Sequence, residues 1–225
     1  MAGAEAANRQ NSLYEKIVAD STQRFRDDLP QILVFRNNLA FAYRTAGDLD
    51  RAISQFKQIL TDRERVLGEG HPHTLISLSN LAGAYKAEGD LVRAIQLYRQ
   101  ALGGQERFLG DDHPDTMATR YRLAETYMIV GNFGRAVPLH AQILAVNEHR
   151  NGDCHADTVK SRVALAIAYE GKGDFDLAII LYEKALTDGV SINYDHSFMD
   201  SVRVFLDQAR GRAIMRMRIP TESEH

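Results

Sequence analysis

The feature that most constrains this chain is an internal repeat of 42 residues, the difference between successive glycines (89 minus 47, 131 minus 89, 173 minus 131). These glycines are Gly47, Gly89, Gly131 and Gly173. A leucine before each glycine and an alanine after it keep the same step: Leu39, Leu81, Leu123 and Leu165, and Ala52, Ala94, Ala136 and Ala178. Three columns that stay in register over four copies indicate a tandem-repeat architecture, in which each unit packs on its neighbours.

Each repeat has the pattern of two helices. In the first repeat, Leu39, Ala40 and Tyr43 form an i, i+1, i+4 apolar stripe, and a second stripe runs from Ala52 to Leu60. The Gly-Asp between the stripes supplies a helix stop and a helix start. Because the alternating pattern of strands is missing from the sequence, the predicted class is all-α, with about nine to ten helices in antiparallel pairs.

The repeat register also predicts boundaries. We expect a single repeat domain over residues 13–217, between tails at 1–12 and 218–225. It comprises half a repeat at 13–29, four full repeats and a capping helix at 197–217. The full repeats cover residues 30–71, 72–113, 114–155 and 156–196.

An eight-residue motif, called the joint below, stands before the first stripe of the second, third and fourth repeats. The joints are "LGEGHPHT" (67–74), "LGDDHPDT" (109–116) and "NGDCHADT" (151–158). We expect the glycine of each joint to end one helix and Pro72 or Pro114 to occupy the first turn of the next. Asp115 and Thr116, with Asp157 and Thr158 in the last joint, are predicted to supply acceptors at that helix N-terminus.

The histidines of the joints, His71, His113 and His155, suggest at first a catalytic or metal site. One residue per stacked unit places the equivalents about 10 Å apart, the diameter of a helix. A shared zinc needs its ligands within about 2.1 Å of one point. The joints are therefore predicted to be structural.

The two stripes resemble a known family. Their pattern of leucine-alanine, tyrosine, Gly-Asp, Arg-Ala-Ile, tyrosine and Ala-Leu, seen in residues 81–102, resembles the tetratricopeptide repeat, which is usually about 34 residues long. The longer variant, with "ERVLG" or "ERFLG" and then "HP-x-T", is similar to the repeats of kinesin light chains and to actinobacterial arrays often attached to signalling ATPases. HEAT and armadillo repeats have a compatible period but do not predict the Gly-Asp. The resemblance implies a right-handed superhelical solenoid whose first helices line a concave groove.

Composition and motifs narrow the function. The formal net charge of -3 gives no basic field for nucleic acid or anionic membrane, and no window approaches the roughly 18 apolar residues of a membrane span. The single cysteine, Cys154, fits a reducing compartment. P-loop, GxGxxG, nucleophile-elbow and HExxH motifs are missing. We therefore expect a cytoplasmic, non-catalytic protein without metal or cofactor, whose partners are proteins or peptides rather than nucleic acid or membrane.

The amino-terminal end departs from the full repeat. Residues 13–30 align with residues 97–114, which makes them a second helix without its first helix. The repeat face of Tyr14 and Ile17 would then lie open. Three interpretations fit this pattern: a fragment of a longer protein, an end covered by another chain, or a divergent cap.

The carboxyl-terminal end reads as a final first helix over residues 196–218. Val202, Phe205, Leu206 and Ala209 are predicted to pack inward, so that this helix caps the array. Its basic residues are expected either to be solvated or to dock on a partner or an acidic surface. They are Arg210, Arg212, Arg216 and Arg218.

Function is expected to lie in the groove that the resemblance implies. The candidate contact residues, at fixed offsets from the recurring leucine, are Val34, Asn37, Phe41, Arg44, Ile76, Ser79, Lys86, Tyr121, Glu125, Met128, Lys160, Val163, Ile167 and Glu170. The chain has Phe41, Gly83, Glu125 and Ile167 where many peptide-binding relatives have asparagine, which disfavours their mode of binding.

The apolar candidates predict a floor for an amphipathic helix or an apolar peptide, with its acidic end toward Arg44 and its basic end toward Glu170. In another interpretation these residues pack on each other. Two further functions stay open: a homo-oligomerisation module that uses the helix at Leu13, and a ligand-sensing domain of a signalling ATPase or regulator.

Overall fold

The computed structural model describes residues 29–218 and, ahead of them, Ser12, Leu13, Glu15, Lys16 and Ala19. Residues 29–218 form nine α-helices, and this part of the chain contains no strand, so the predicted all-α class is confirmed. The helices are α1 Leu29–Thr45, α2 Leu49–Leu67, α3 Pro72–Glu88, α4 Leu91–Leu109, α5 Pro114–Ile129, α6 Phe133–Asn151, α7 Ala156–Lys172, α8 Phe175–Ser191 and α9 His196–Arg218.

Short turns join the two helices of each repeat. α3 ends at Gly89, whose φ of 95° lies in the left-handed region that favours glycine. Asp90 follows, and its carboxylate accepts the backbone N–H of Arg93 at 2.9 Å, which caps α4. Asp48 and Asn132 cap α2 and α6 in the same way. The predicted stop and start therefore form.

The joints also end one helix and start the next, but with different acceptors from those predicted. The imidazole Nδ1 of His71, not the side chain of a following residue, accepts the backbone N–H of His73 at 3.2 Å. The Thr74 hydroxyl points back and donates to the carbonyl of Gly68 at 2.8 Å. In the joints before α5 and α7, the Nδ1 atoms of His113 and His155 accept the backbone N–H groups of Asp115 and Asp157 in the same way. The N-cap acceptor is therefore histidine, not the aspartate or threonine that was predicted (Asp115, Thr116, Asp157 and Thr158).

The described chain divides into two compact units between Thr119 and Arg120, within α5. Unit 1, through Thr119, includes a buried cluster of Leu75, Leu78 and Ala101. Unit 2, from Arg120, has a larger core of α7, α8 and α9 residues: Val159, Val163, Ala166, Ala178, Tyr182, Ala185, Met199, Val202, Leu206 and Ala209. The single domain over residues 13–217 stays a prediction.

The recurring alanine of each second helix is fully buried. Ala52, Ala94, Ala136 and Ala178 each have 0% of their surface exposed. A methyl side chain leaves room for close packing with the paired helix, and a larger side chain at this position would overpack the interior.

The last helix, α9, packs as predicted. Val202 and Ala209 are fully buried, Leu206 is nearly so, and Phe205 packs against the same core. Val204, Ile214 and Met215 stay exposed on other faces of the helix.

Three arginines of α9 have partners within unit 2. Arg210 donates to Glu183 at 2.7 Å, Arg212 to Glu170 at 2.6 Å, and Arg216 to the Gly173 carbonyl at 2.5 Å. Docking of an acidic partner on α9 would have to replace these contacts.

The predicted open face of Tyr14 and Ile17 lies outside the described residues. Leu13 is 59% exposed. Glu15 accepts hydrogen bonds from the Tyr43 hydroxyl on α1 and from Arg51 on α2. Burial is the main cause of the raised pKa of Tyr43, and the hydrogen bond to Glu15 raises it further.

Candidate binding surfaces on the first helices

The predicted contact residues lie on the first helix of each repeat, and the two units are described separately. In unit 1, Val34 on α1 has 47% of its surface exposed, while Phe41 and Ile76 are half-buried. The Phe41 ring meets Phe56 edge-on with centroids 5.3 Å apart. On the other side, the Arg44 guanidinium lies 4.9 Å from the Phe41 centroid, in a cation–π arrangement.

Polar candidates of unit 1 are tied into the fold. The Asn80 amide on α3 donates to Asn37 Oδ1 on α1 at 3.1 Å. Ser79 is 2% exposed, and its hydroxyl oxygen accepts from Thr119 at 3.1 Å. Ser79 is therefore not available to a ligand, and its assignment as a contact residue is corrected. Lys86, in the last turn of α3, is half-buried.

Gly83 explains why α3 carries a glycine in its interior. A Cβ at this position would lie 3.0 Å from the Arg44 Nη1 and 3.3 Å from the Tyr98 hydroxyl. The guanidinium and the hydroxyl thus fill the space that a side chain would take. The alternatives at this repeat position, Phe41, Glu125 and Ile167, need more room.

In unit 2, the exposed apolar candidates are Tyr121 on α5, with 48% of its surface exposed, and Ile167 on α7, with 36%. Met128 is half-buried and Glu125 is exposed. Val163, in contrast, is 4% exposed and belongs to the core of α7, α8 and α9. Its assignment as a contact residue is corrected, because the α9 side of α7 is covered.

Lys160 is exposed and lies at the start of α7. Its ammonium is 5.9 Å from the Tyr194 ring centroid and 3.8 Å from Asp157. The hydrogen bond to Tyr194 is the main cause of the raised pKa of Lys160, and Asp157 adds to it.

Glu170 already has its basic partner. Its side chain is 9% exposed and accepts from the Tyr182 hydroxyl at 2.9 Å and from Arg212 of α9 at 2.6 Å. Burial and the bond to Glu170 raise the pKa of Tyr182. Arg212 of the same chain thus takes the place at Glu170 that was predicted for the basic end of a ligand.

His140 on α6 lies beside the unit 2 candidates. It is 4% exposed, and its ring meets Tyr121 edge-on with centroids 6.1 Å apart. Burial lowers the pKa of His140, and the carboxylate of Glu125 partly opposes this. Phe56, Tyr98 and Tyr182 occupy the equivalent position in the other repeats.

One arrangement was missed by the sequence reasoning. Arg162 on α7 is 2% exposed and forms ion pairs with Asp188 on α8 and with Glu148 on α6. Arg36 and Asp62 form a pair with the same 26-residue separation in the first repeat, at 3.2 Å. The repeated spacing of an arginine and an aspartate was the available signal. These pairs join helices and are not a ligand site.

A cleft of about 530 Å³ lies elsewhere in unit 2, between the start of α8 and the last turns of α9. Its lining includes Phe175, Leu177 and Arg216, and none of the predicted contact residues. In the described part of the chain, no group of three or more histidine, cysteine or acidic residues could hold a metal ion. None of the helices there has the length and apolar character needed to cross a membrane.

The helix pairs define the class of protein. Each repeat has a first helix of 16 or 17 residues, a short turn, and a second helix of 17 or 19 residues. Such pairs in tandem are typical of helical repeat proteins. The tetratricopeptide repeat family model matches residues 31–107, 84–148 and 115–187. Because these matches span more than half of the chain, this protein belongs to the tetratricopeptide repeat family.

Solved structures share this fold. The "kinesin light chain nearly identical TPR-like repeats" of Podosopora anserina are 27% identical, with a TM-score of 0.72 over 85% of this chain and 95% of that chain. BtubC (BKLC) from P. vanneervenii is 18% identical, with a TM-score of 0.75 over 98% and 96%. Apo RapI is 15% identical, with a TM-score of 0.72 over 90% of this chain and 54% of that chain. The last two show the fold alone.

No curated protein matches the sequence. The predicted kinesin-light-chain-like type of tetratricopeptide repeat is confirmed by the family match and the Podosopora structure. Proteins of this family generally bind other proteins and are generally non-catalytic. In general terms, the chain is therefore a protein-interaction scaffold.

Proposed function

We propose that this chain is a non-catalytic, cytoplasmic scaffold that binds a peptide or an amphipathic helix against its first helices, as part of a larger signalling or regulatory protein. The supporting observation is the exposure of large apolar side chains at positions set by the repeat register. Val34, Tyr121 and Ile167 have between 36% and 48% of their surfaces exposed. Apolar side chains repeated on one helix type favour a binding surface over isolated surface residues.

The charges bordering the unit 1 surface favour an acidic flank on the ligand. Arg44 and Lys86 both border Val34, Phe41 and Ile76 by the repeat register. The predicted basic end of the ligand would have to displace Arg212 from Glu170. Binding is accordingly expected to weaken as the salt concentration rises.

The chain provides matched variants for a test. Val34→Ser changes an exposed valine of a first helix, and Val92→Ser changes a valine of a second helix that is 69% exposed. In unit 2, Ile167→Ser has its control in Ile180→Ser, where the isoleucine is 59% exposed on α8. All four side chains are at least one-third exposed, so folding should survive each change.

The probe is a helical peptide selected against the intact chain from a display library, with affinity measured by calorimetry. We expect Val34→Ser or Ile167→Ser to weaken binding several-fold, and Val92→Ser and Ile180→Ser to leave it unchanged. Selected peptides that bind equally to the first-helix variants and to wild type would reject these surfaces as the binding site.

Homo-oligomerisation is a second candidate function, and the exposure of Leu13 supports it. Light scattering of the intact chain at several concentrations distinguishes the two functions. A mass above one subunit that returns to one subunit in Leu13→Ser would support assembly through this helix. A constant monomer mass would reject it.

A further inference from the structure

A buried histidine of unit 2 has a ring nitrogen without a hydrogen bond. His140 on α6 is 4% exposed, and its Nδ1 has no hydrogen-bond partner among the described residues. Folded proteins rarely keep a buried polar atom without a partner, because such an atom has lost its bonds to water and gained none in return. A partner from outside the chain would remove this penalty.

Other repeats show how the position of His140 is filled when it serves packing alone. In the first repeat it carries Phe56, whose ring has no polar atom. In the fourth repeat it carries Tyr182, whose hydroxyl donates to Glu170 on the first helix of the same repeat at 2.9 Å. Both rings have 0% of their surface exposed. His140 is neither apolar nor bonded through Nδ1, so packing does not account for an imidazole here.

The imidazole of His140 contacts the predicted binding surface of unit 2. The Tyr121 ring, which is 48% exposed, meets it edge-on with centroids 6.1 Å apart. Burial lowers the pKa of His140, and the carboxylate of Glu125 opposes this only in part, so the ring is unprotonated at neutral pH. Because Tyr121 is half exposed, displacement of its ring would connect the buried imidazole with the surface.

The chemistry of this position favours an uncharged polar group on the ligand. A neutral imidazole carries one N–H and one acceptor nitrogen, and either can be Nδ1. A carboxamide both donates and accepts, so it satisfies Nδ1 in either case. A ligand carboxylate would be repelled by Glu125, and a cation would have to leave water for a buried position. An apolar side chain would leave Nδ1 without a partner.

We propose that His140 is the polar anchor of the unit 2 surface and selects a ligand helix that carries glutamine or asparagine on its apolar face. This inference rests on the proposed function. The carboxamide of the ligand displaces the Tyr121 ring and forms a hydrogen bond with the Nδ1 of His140, while apolar side chains of the same helix contact Ile167.

Parallel selections from one helical-peptide library, against the intact wild-type chain and the intact His140→Phe chain, test this inference. We expect glutamine or asparagine to be enriched on the apolar face of the wild-type binders, and leucine or methionine to replace it in the binders of His140→Phe. The variant should fold, because the first repeat has Phe56 at this position. The same preference with both chains would overturn the proposal.

Calorimetry with one selected glutamine peptide, and with its form in which methionine replaces that glutamine, measures the hydrogen bond. We expect the glutamine peptide to bind His140→Phe about five-fold more weakly than wild type, as the loss of one hydrogen bond implies. The methionine form should bind His140→Phe at least as tightly as wild type. Tyr98→Phe, at the equivalent position of unit 1, should leave both affinities unchanged. An equal loss for both peptides with His140→Phe would contradict a specific bond.

Nitrogen NMR of the wild-type chain gives a test that does not depend on the stability of a variant. In long-range ¹H–¹⁵N spectra at pH 7.5, the Nδ1 resonance of His140 should shift when the glutamine peptide is added, and shift less with the methionine form. Identical shifts with the two peptides would reject the anchor.

The Ile167→Ser variant separates failure of this inference from failure of the proposed function. A glutamine peptide that loses affinity with Ile167→Ser but not with His140→Phe would reject the anchor and leave the proposed function standing. A peptide that Ile167→Ser does not affect would reject the unit 2 surface itself, and the anchor with it.

Discussion

A buried ion pair joins α7 and α8 in unit 2, and replacing Asp188 with leucine removes one of its members. The side chains of Arg162 and Asp188 are 2% and 5% exposed. Leucine cannot accept the guanidinium N–H, so the charge of Arg162 stays buried without its closest partner. We expect this change to lower the free energy of unfolding substantially.

The magnitude follows from the partners that remain. Removing one member of a buried pair typically costs about 3–5 kcal/mol. Arg162 keeps Glu148 at 2.7 Å and Asp153 at 3.9 Å, with side chains that are 38% and 57% exposed. Because these carboxylates partly neutralise the guanidinium, Asp188→Leu should cost about 3 kcal/mol, at the lower end of that range.

The same repeat position in unit 1 provides the control. Asp62 pairs with Arg36 at 3.2 Å, and both side chains are about one-quarter exposed, at 27% and 26%. Asp62→Leu should therefore cost at most about 1 kcal/mol. The double variant Arg162→Met with Asp188→Leu removes both charges and should return to within about 1 kcal/mol of wild type.

Urea unfolding followed by far-ultraviolet circular dichroism measures these differences, with transitions fitted without assuming that the two units unfold together. An Asp188→Leu variant no more destabilised than Asp62→Leu would refute the cost assigned to the buried charge. A double variant as unstable as Asp188→Leu alone would refute it as well, because the buried charge would then not be the cause.

Three further predictions concern single positions. The pKa of His140 is lowered by burial, so its contribution to stability is present above the unfolded-state pKa of about 6.5 and is lost as pH falls below it; His140→Phe should reduce the fall in melting temperature between pH 7.5 and 5. Ala94→Leu should cost about 1–3 kcal/mol in urea unfolding, because Ala94 is fully buried, whereas Val92→Leu should be neutral. Gly89→Ala should cost about 1 kcal/mol because its φ is 95°, while Gly103→Ala, in an open helical position, should stabilise α4 by about 0.5–1 kcal/mol in the same assay.

The helices could be predicted because the information is local and is repeated. A leucine-alanine stripe, a Gly-Asp and a second stripe occur four times, so the register supported each prediction. The inward face of α9 followed from the same helical periodicity. A fold with strands was not favoured, because the alternating apolar pattern of strands is missing from the sequence.

The candidate site was less predictable, because it depends on which neighbour covers each side chain. Ser79 and Val163 lie at positions predicted to face the groove but are buried. Glu170 is bonded to Arg212 of α9, which lies 42 residues later in the chain. Histidine as an N-cap was missed because aspartate and threonine are the commoner acceptors. Burial and pairing of this kind come from three-dimensional contacts, which the repeat period does not specify.

Binding at the first helices is most directly measured by methyl NMR of the isoleucine-labelled chain, titrated with a peptide selected against it. The proposed function predicts shifts for Ile76 of α3 or Ile167 of α7, and none for Ile180 and Ile214, which are 59% and 52% exposed on α8 and α9. Shifts confined to Ile180 and Ile214 would contradict it and place the binding surface on the other helices of unit 2.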